Sequence, residues 1–206
     1  MKVLLTVGVI IVCYLIGSIP MGLLLTRIAT GHDIRQVGSG RTGATNVLRG
    51  AGPWLALLTI LGDGLKGFAA VLMARIILKT NTAEAIAGLM AVIGHNYSIF
   101  INFRGGAGTV ATVGGAISIW PWSAVILILV GTSVIAATRY ASLGSIAIAI
   151  VVPILMAMRI WQAGEPLIYL LFGLGTSILT LWALRPNIRR LLEGCERRIR
   201  VKFSEN

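Results

Sequence analysis

Residues 37–49 read Val-Gly-Ser-Gly-Arg-Thr-Gly-Ala-Thr-Asn-Val-Leu-Arg, and they hold the densest set of groups that could do chemistry. Gly38, Gly40 and Gly43 let the backbone turn its N–H groups toward one point, Ser39, Thr42 and Thr45 add hydroxyl donors, and Arg41 and Arg49 add charge. These are the ingredients of a site for a phosphate group. The segment lacks the Gly-Lys-Ser/Thr ending of a nucleotide-hydrolysing loop, so nucleotide hydrolysis is not supported. Arginines snorkelling onto anionic lipid are the plainer alternative.

A second cluster runs from Gly94-His95-Asn96 to Arg104-Gly105-Gly106-Ala107-Gly108-Thr109. There a His and an Asn near one helix end feed a Gly-rich loop that opens the next helix, and a helix N-terminus favours an anion. Two such loops suggest two phosphate-bearing groups brought together, with His95 either catalytic or hydrogen-bonded to backbone as a helix-end residue. Asp63 and Lys66, three residues apart in an apolar stretch, share a helix face and can neutralise one another; such charges at membrane depth are costly unless paired or functional. Ser142 and Ser145 can cap a helix or line the site. No His/Cys cluster points to a metal and no Gly-x-Ser-x-Gly elbow to a hydrolase, nor does an Asp follow His95 by five residues as in the His-x4-Asp acyltransferases. No cofactor is implied.

What must position these loops is a membrane body. Of 206 residues 56% are hydrophobic and 12% charged, with a mean hydropathy of +0.88, which leaves too little polar surface for a soluble domain. The net charge of +11 sits mainly in the connecting segments and points to anionic lipid or an anionic substrate at the membrane face; no domain remains to grip a nucleic acid, so none is expected as a partner. Apolar stretches run at about 3–25, 53–78, 82–101, 109–119, 122–138, 141–158 and 166–184. The first continues past Gly17-Ser18-Ile19-Pro20 without a cleavage site and reads as a span, not a secretory signal. The fourth is short for a crossing of roughly 20 residues; it is a half-span or fuses with the fifth, and Pro121 favours a break.

The fold expected is therefore all-α and integral to the membrane: a polytopic helical bundle of about seven transmembrane helices, one of them short or re-entrant, forming a single domain over 1–206. Segment 27–49 carries four Arg against one acid, and the tail from Arg185 carries seven Lys or Arg against three Glu, so both are expected in the cytoplasm. The N-terminus then lies outside, with cytoplasmic loops at about 26–52 and 102–109 and a cytoplasmic tail at 185–206. Cys13 and Cys195 fall at different depths and are not expected to pair.

In their order, Leu15-Ile16-Gly17-Ser18-Ile19-Pro20, Gly38-Ser39-Gly40…Gly43-Ala44-Thr45-Asn46…Arg49, Asp63…Lys66-Gly67, Gly94-His95, Phe103-Arg104-Gly105-Gly106…Gly108, Arg139-Tyr140…Ser142-Leu143 and Asn187-Ile188-Arg189-Arg190-Leu191-Leu192 resemble the bacterial acyl-phosphate:glycerol-3-phosphate acyltransferases of the inner membrane over essentially the whole chain. The resemblance implies a seven-helix fold with its active site at the cytoplasmic face. It also implies acyl transfer from acyl phosphate to the 1-hydroxyl of glycerol 3-phosphate, giving lysophosphatidate, the first step of phospholipid synthesis. The partners it implies are acyl phosphate, glycerol 3-phosphate and membrane lipid. Ser39, Arg49, His95 and Asn187 then stand as catalytic candidates. Gly38, Gly40, Arg41, Gly43, Thr45, Asn46, Lys66, Arg104, Gly105, Gly106, Gly108 and Ser142 stand as substrate-binding candidates. The chain departs from the family pattern at Arg41, where an Asn is usual, at Ala107, where a Lys is usual, and at Leu184 and Pro186, which replace a His and a Glu. Arg41 is placed to restore the charge lost at Ala107. A relative that binds lipid or uses another acceptor, and a transporter of a phosphorylated metabolite, are the competing readings.

Overall fold

The computed structural model describes residues 2–199, so the end of the expected basic tail lies outside the described residues. Ten α-helices follow one another: α1 (Lys2–Ser18), α2 (Met21–Thr30), α3 (Ala44–Ala51), α4 (Pro53–Leu78), α5 (Asn81–Asn96), α6 (Thr109–Ile119), α7 (Ser123–Thr138), α8 (Ala141–Ala163), α9 (Tyr169–Ala183) and α10 (Arg185–Leu192). Short 3-10 turns occupy Ile34–Gln36 and Ile99–Ile101.

Among the described residues three helices are long and apolar enough to cross a membrane: α4, α5 with the turn that extends it to Ile101, and α8. The first apolar stretch is not one straight helix. It breaks into α1 and α2 with a 41° bend, and as a pair these make a fourth candidate span. Pro20 precedes α2 at the break, where a residue without an N–H cannot continue the helical ladder. α6, α7 and α9 are apolar but shorter, at 11, 16 and 15 residues. The fourth stretch is thus short as its length implied, and the chain does break at Pro121, between α6 and α7. Two further helices, α3 and α10, are amphipathic and carry the functional loops rather than a span.

Lipid supplies no hydrophobic force between helices, so close backbone approach must hold the bundle together. Gly17 and Gly94 let α1 and α5 meet: a side chain on Gly17 would strike the Ala91 carbonyl, and one on Gly94 the Tyr14 carbonyl. Gly67 and Gly114 do the same for α4 and α6, against the carbonyls of Ala111 and Gly64. Phe172 of α9, fully buried, fills the space that Gly88 and Gly115 leave open. Away from the glycine-rich loops, at the other end of α5, Arg75 pairs with Glu84 at 2.7 Å and Tyr169 donates to the same carboxylate at 3.1 Å. Arg159 closes a second pair with Glu165 at 2.9 Å. Lipid-facing Leu, Ile and Val cover α1, α4 and α7.

Gly67→Ile is expected to force α4 and α6 apart and to lower the thermal midpoint in detergent by about 2–10 °C, the equivalent of an overpacked core. Gly8→Ala, with nothing within 4 Å of the added carbon, is expected to leave the midpoint unchanged.

Candidate functional site

The loop before α3 is shaped by one side chain. Asn46, the third residue of α3 and 2% exposed, turns back over the segment it follows. Its Nδ2 lies 2.9 Å from each of the carbonyls of Ile34, Val37 and Arg41, and its Oδ1 accepts from the Ser39 N–H at 3.0 Å. Gly38 and Gly40 adopt φ of 60° and 72°, in the left-handed region that favours glycine. A side chain on Gly38 would also strike Asn46 Oδ1. The loop is therefore wound around an amide that is satisfied at every position.

The second loop lies on the end of α5. The Gly105 and Gly106 N–H groups donate to the carbonyls of Asn96 and His95 at 3.0 and 3.1 Å, which caps that helix. Their amides are thus committed to α5, contrary to the expectation that they face a phosphate. What these glycines supply is closeness: a side chain on Gly106 would strike His95 Nε2, and one on Gly105 the His95 carbonyl. The free donors are the next ones along, because the first N–H groups of α6 have no intrahelical partner.

Between the loops lies a cavity of about 120 Å³. Three helices begin on its wall: α3 with Gly43, Ala44 and Thr45, α6 with Gly108, Thr109 and Val110, and α8 with Ala141, Ser142 and Ser145. Each N-terminus presents N–H groups without an intrahelical partner and the positive end of a helix dipole, an arrangement suited to an anion. Ser39, Arg41 and Arg49 complete one side, and Asn187 reaches in from the first turn of α10. Thr109 Oγ1 and Ser142 Oγ are buried there without a hydrogen-bond partner among the described residues.

Arg41 donates to the Ala183 carbonyl and, at 3.3 Å, to Asn187 Oδ1. Burial and the neighbouring Arg190 push its pKa below the usual guanidinium value, while Glu196 pulls it back. Arg49 donates to the Arg197 carbonyl at 3.0 Å; burial lowers its pKa and Glu196 opposes the shift. Both lie outside the spans and remain charged near neutrality.

At the floor of the cavity Asp63 Oδ1 forms an ion pair with Lys66 Nζ at 2.9 Å and lies 3.5 Å from His95 Nδ1. Lys66 Nζ also donates to the Ile19 carbonyl at 3.0 Å, next to the α1–α2 break. Asp63 and His95 line the cavity; Lys66 stands behind Asp63.

Most of the candidate residues meet here. Ser39, Arg41, Arg49, Gly43, Thr45, Asn46, His95, Gly106, Gly108, Ser142 and Asn187 all line the one cavity. Gly38 sits behind Asn46, and Gly40, Arg104 and Gly105 face a neighbouring cavity instead. Besides Ser145, three polar lining residues were not among the candidates: Asp63, Thr109 and Glu196. Asp63 was visible as the acid of an Asp-x-x-Lys pair. Glu196 gives no sequence signal beyond being an acid in a basic tail, yet it is buried, accepting from Asn187 Nδ2 at 2.9 Å and from Arg190 Nε at 2.8 Å. Among the described residues no group of three His, Cys, Asp or Glu is arranged to hold a metal.

Asn46→Asp removes the donor and leaves three carbonyls facing a carboxylate, and Asn46→Ala leaves them unpaired. Each is expected to cost about 1–3 kcal/mol and to open the loop, read as faster proteolysis or hydrogen exchange at 37–43 with α4 and α5 unchanged.

The chain matches the family model described as glycerol-3-phosphate acyltransferase over residues 7–194. Curated relatives of that name include one from Syntrophomonas wolfei, 40% identical over 196 residues (95% of this chain, 97% of that protein). Another, from Thermus thermophilus, is 40% identical over 94% of each chain. Among solved structures, PlsY (YgiH), an integral membrane glycerol 3-phosphate acyltransferase, superposes in its glycerol 3-phosphate form with a TM-score of 0.86 at 33% identity, covering 95% of this chain and 96% of that one. Its lysophosphatidic acid form gives 0.83 at 31% identity. This chain, an integral membrane helical protein with a cavity where three helices begin, belongs to the glycerol-3-phosphate acyltransferase family.

Proposed function

We propose that this protein transfers an acyl group from acyl phosphate to the 1-hydroxyl of glycerol 3-phosphate in the cytoplasmic membrane of a bacterium, with the cavity open to the cytoplasm. The observation that carries the reading is the convergence of three helix N-termini, Arg41 and Arg49 on one cavity whose buried hydroxyls Thr109 and Ser142 have no hydrogen-bond partner among the described residues. That arrangement suits phosphate oxygens, and both substrates carry them. Charge asymmetry supports the orientation: the Arg-rich loop and α10 lie at the cavity, and the Glu84 and Glu165 end is opposite.

Acyl phosphate is already activated, so the site needs to position and to stabilise charge more than to generate a nucleophile. Ser39, Arg49 and the first amides of α3 and α6 would hold the phosphates. Val110, Ala141 and Leu184 make the apolar side of the cavity, toward which the acyl chain would run. The glycerol hydroxyl oxygen forms a bond to the acyl carbon, the bond from that carbon to the phosphate oxygen breaks, and the hydroxyl proton leaves with the phosphate or passes to His95. Asp63 beside His95 Nδ1 favours the tautomer whose Nε2 is free to accept a proton. No acyl-enzyme and no cofactor are needed.

One observation favours a relative with altered or absent turnover. Ala107 and Leu184, the positions where the family usually carries Lys and His, both line the cavity and offer it no charge. Arg41 lines the same cavity, and its guanidinium is the group that would compensate. The test is phosphate release from palmitoyl phosphate by purified protein, with and without glycerol 3-phosphate, in wild type, Arg41→Ala and Arg41→Lys. Release that depends on glycerol 3-phosphate and falls ~10²–10³-fold in Arg41→Ala is expected, with partial recovery in Arg41→Lys. An unchanged rate in Arg41→Ala would refute compensation, and no release in folded wild-type protein would refute the acyl-transfer reading. Uptake of a phosphorylated metabolite by proteoliposomes without acyl transfer would indicate a transporter.

A further inference from the structure

Beside the first cavity lies a second one, of about 310 Å³ and more open to solvent. The two share a wall: Arg41 and Gly106 line both. Three arginines, Arg41, Arg104 and Arg185, line the second cavity, and among the described residues none that lines it is an acid. Like charges are not gathered in one cavity without cost unless an anion visits them.

Two of these arginines are held in place. The Arg185 guanidinium stacks on the Trp182 ring, 3.1 Å from its centroid, and its Nε donates to the Trp182 carbonyl at 3.0 Å. Arg41 is anchored on the Ala183 carbonyl. Arg104 follows two residues in the left-handed region, Asn102 at φ 53° and Phe103 at φ 59°. For a Phe that backbone is uncommon, and it persists only where the surroundings enforce it. Among the described residues Arg104 is joined to the fold through its backbone N–H, which donates to Ile101 O at 3.2 Å; its exposed side chain is a lining group of the cavity. The loop thus holds a positive-φ Phe directly before a cation that lines this cavity, where no acid is found among the described residues.

We propose that the second cavity is a separate phosphate site, holding a phosphate dianion in transit between water and the reaction cavity, with Arg41 as the group common to both. Several forked guanidinium groups suit a phosphate's tetrahedral oxygens better than they suit a single carboxylate or a sugar. The cavity gives Arg104, absent from the wall of the first site, a role. That phosphate moves onward to a reaction rests on the acyl-transfer reading; that it binds does not.

Binding of radiolabelled inorganic phosphate to purified protein, with no acyl donor present, separates the two. Wild type is expected to show two saturable sites. In Arg104→Gln/Arg185→Gln one site should weaken by about 10–100-fold, the loss expected for charge-assisted hydrogen bonds, and Arg104→Lys/Arg185→Lys should recover part of it. Ser39→Ala/Thr109→Val should weaken the other site only. A single site, or two sites indifferent to Arg104 and Arg185 in protein that remains monodisperse, would overturn the proposal. The same measurement in nanodiscs distinguishes the source of the phosphate. If phosphatidylglycerol, but not phosphatidylcholine, abolishes phosphate binding at the arginine-dependent site, its occupant is a lipid headgroup and transit is refuted. Equal binding in both lipids supports transit whether or not acyl transfer is later observed.

Discussion

The cavity depends on a single amide. Asn46 holds the Ile34, Val37 and Arg41 carbonyls and the Ser39 N–H from inside the turn that α3 opens, so the Gly-Ser-Gly segment cannot relax without breaking several buried hydrogen bonds at once. A flexible glycine loop would spend conformational entropy each time it closed on a phosphate. Here the order is built before any ligand arrives, and the interactions that build it are neutral. The charges of Arg41 and Arg49 are therefore left for an anion. Glu196 is the counterweight: it keeps those arginines, with Arg190, from facing one another uncompensated, and it fixes the Asn187 amide so that its oxygen points to Arg41.

Beneath the loop the constraint comes from the membrane. Asp63, Lys66 and His95 are all buried, and a charge there is tolerated because it has a partner within a few ångströms. The trio also ties three elements together: α4 through Asp63 and Lys66, α5 through His95, and the α1–α2 break through the Ile19 carbonyl that Lys66 bonds. Glycine contacts between α1 and α5 and between α4 and α6 set the distances at which this can happen. Helix packing and site geometry are one construction, since the loop after α5 can lie on His95 only because positions 105 and 106 have no side chains.

Much of this was legible in the sequence because hydropathy and charge are local properties. The apolar stretches become the helices, with α4 and α6 ending where the apolar runs end, and Pro121 separates α6 from α7. Ser39, Arg41, Gly43, Thr45 and Arg49 of the 37–49 segment do gather at one cavity. What escaped depends on direction and on long-range contact. Apolar character runs through Pro20, so the bend between α1 and α2 shows only in the backbone ladder. Gly105 and Gly106 have the composition of an anion loop, but whether their amides face outward or cap the preceding helix is decided by the path of the chain. Arg104 follows a turn that carries it to the other side of Gly106 from its expected place, and Glu196 reaches the site only because the tail folds back over α10.

The central claim is that phosphate oxygens bind where α3, α6 and α8 begin. The direct measurement is diffraction from crystals grown with glycerol 3-phosphorothioate, locating its sulfur and phosphorus by anomalous scattering. The account predicts a peak inside the first cavity, within hydrogen-bond reach of the Ser39 and Thr109 hydroxyls and an arginine. A peak outside that cavity, with those hydroxyls still unpartnered, would contradict it.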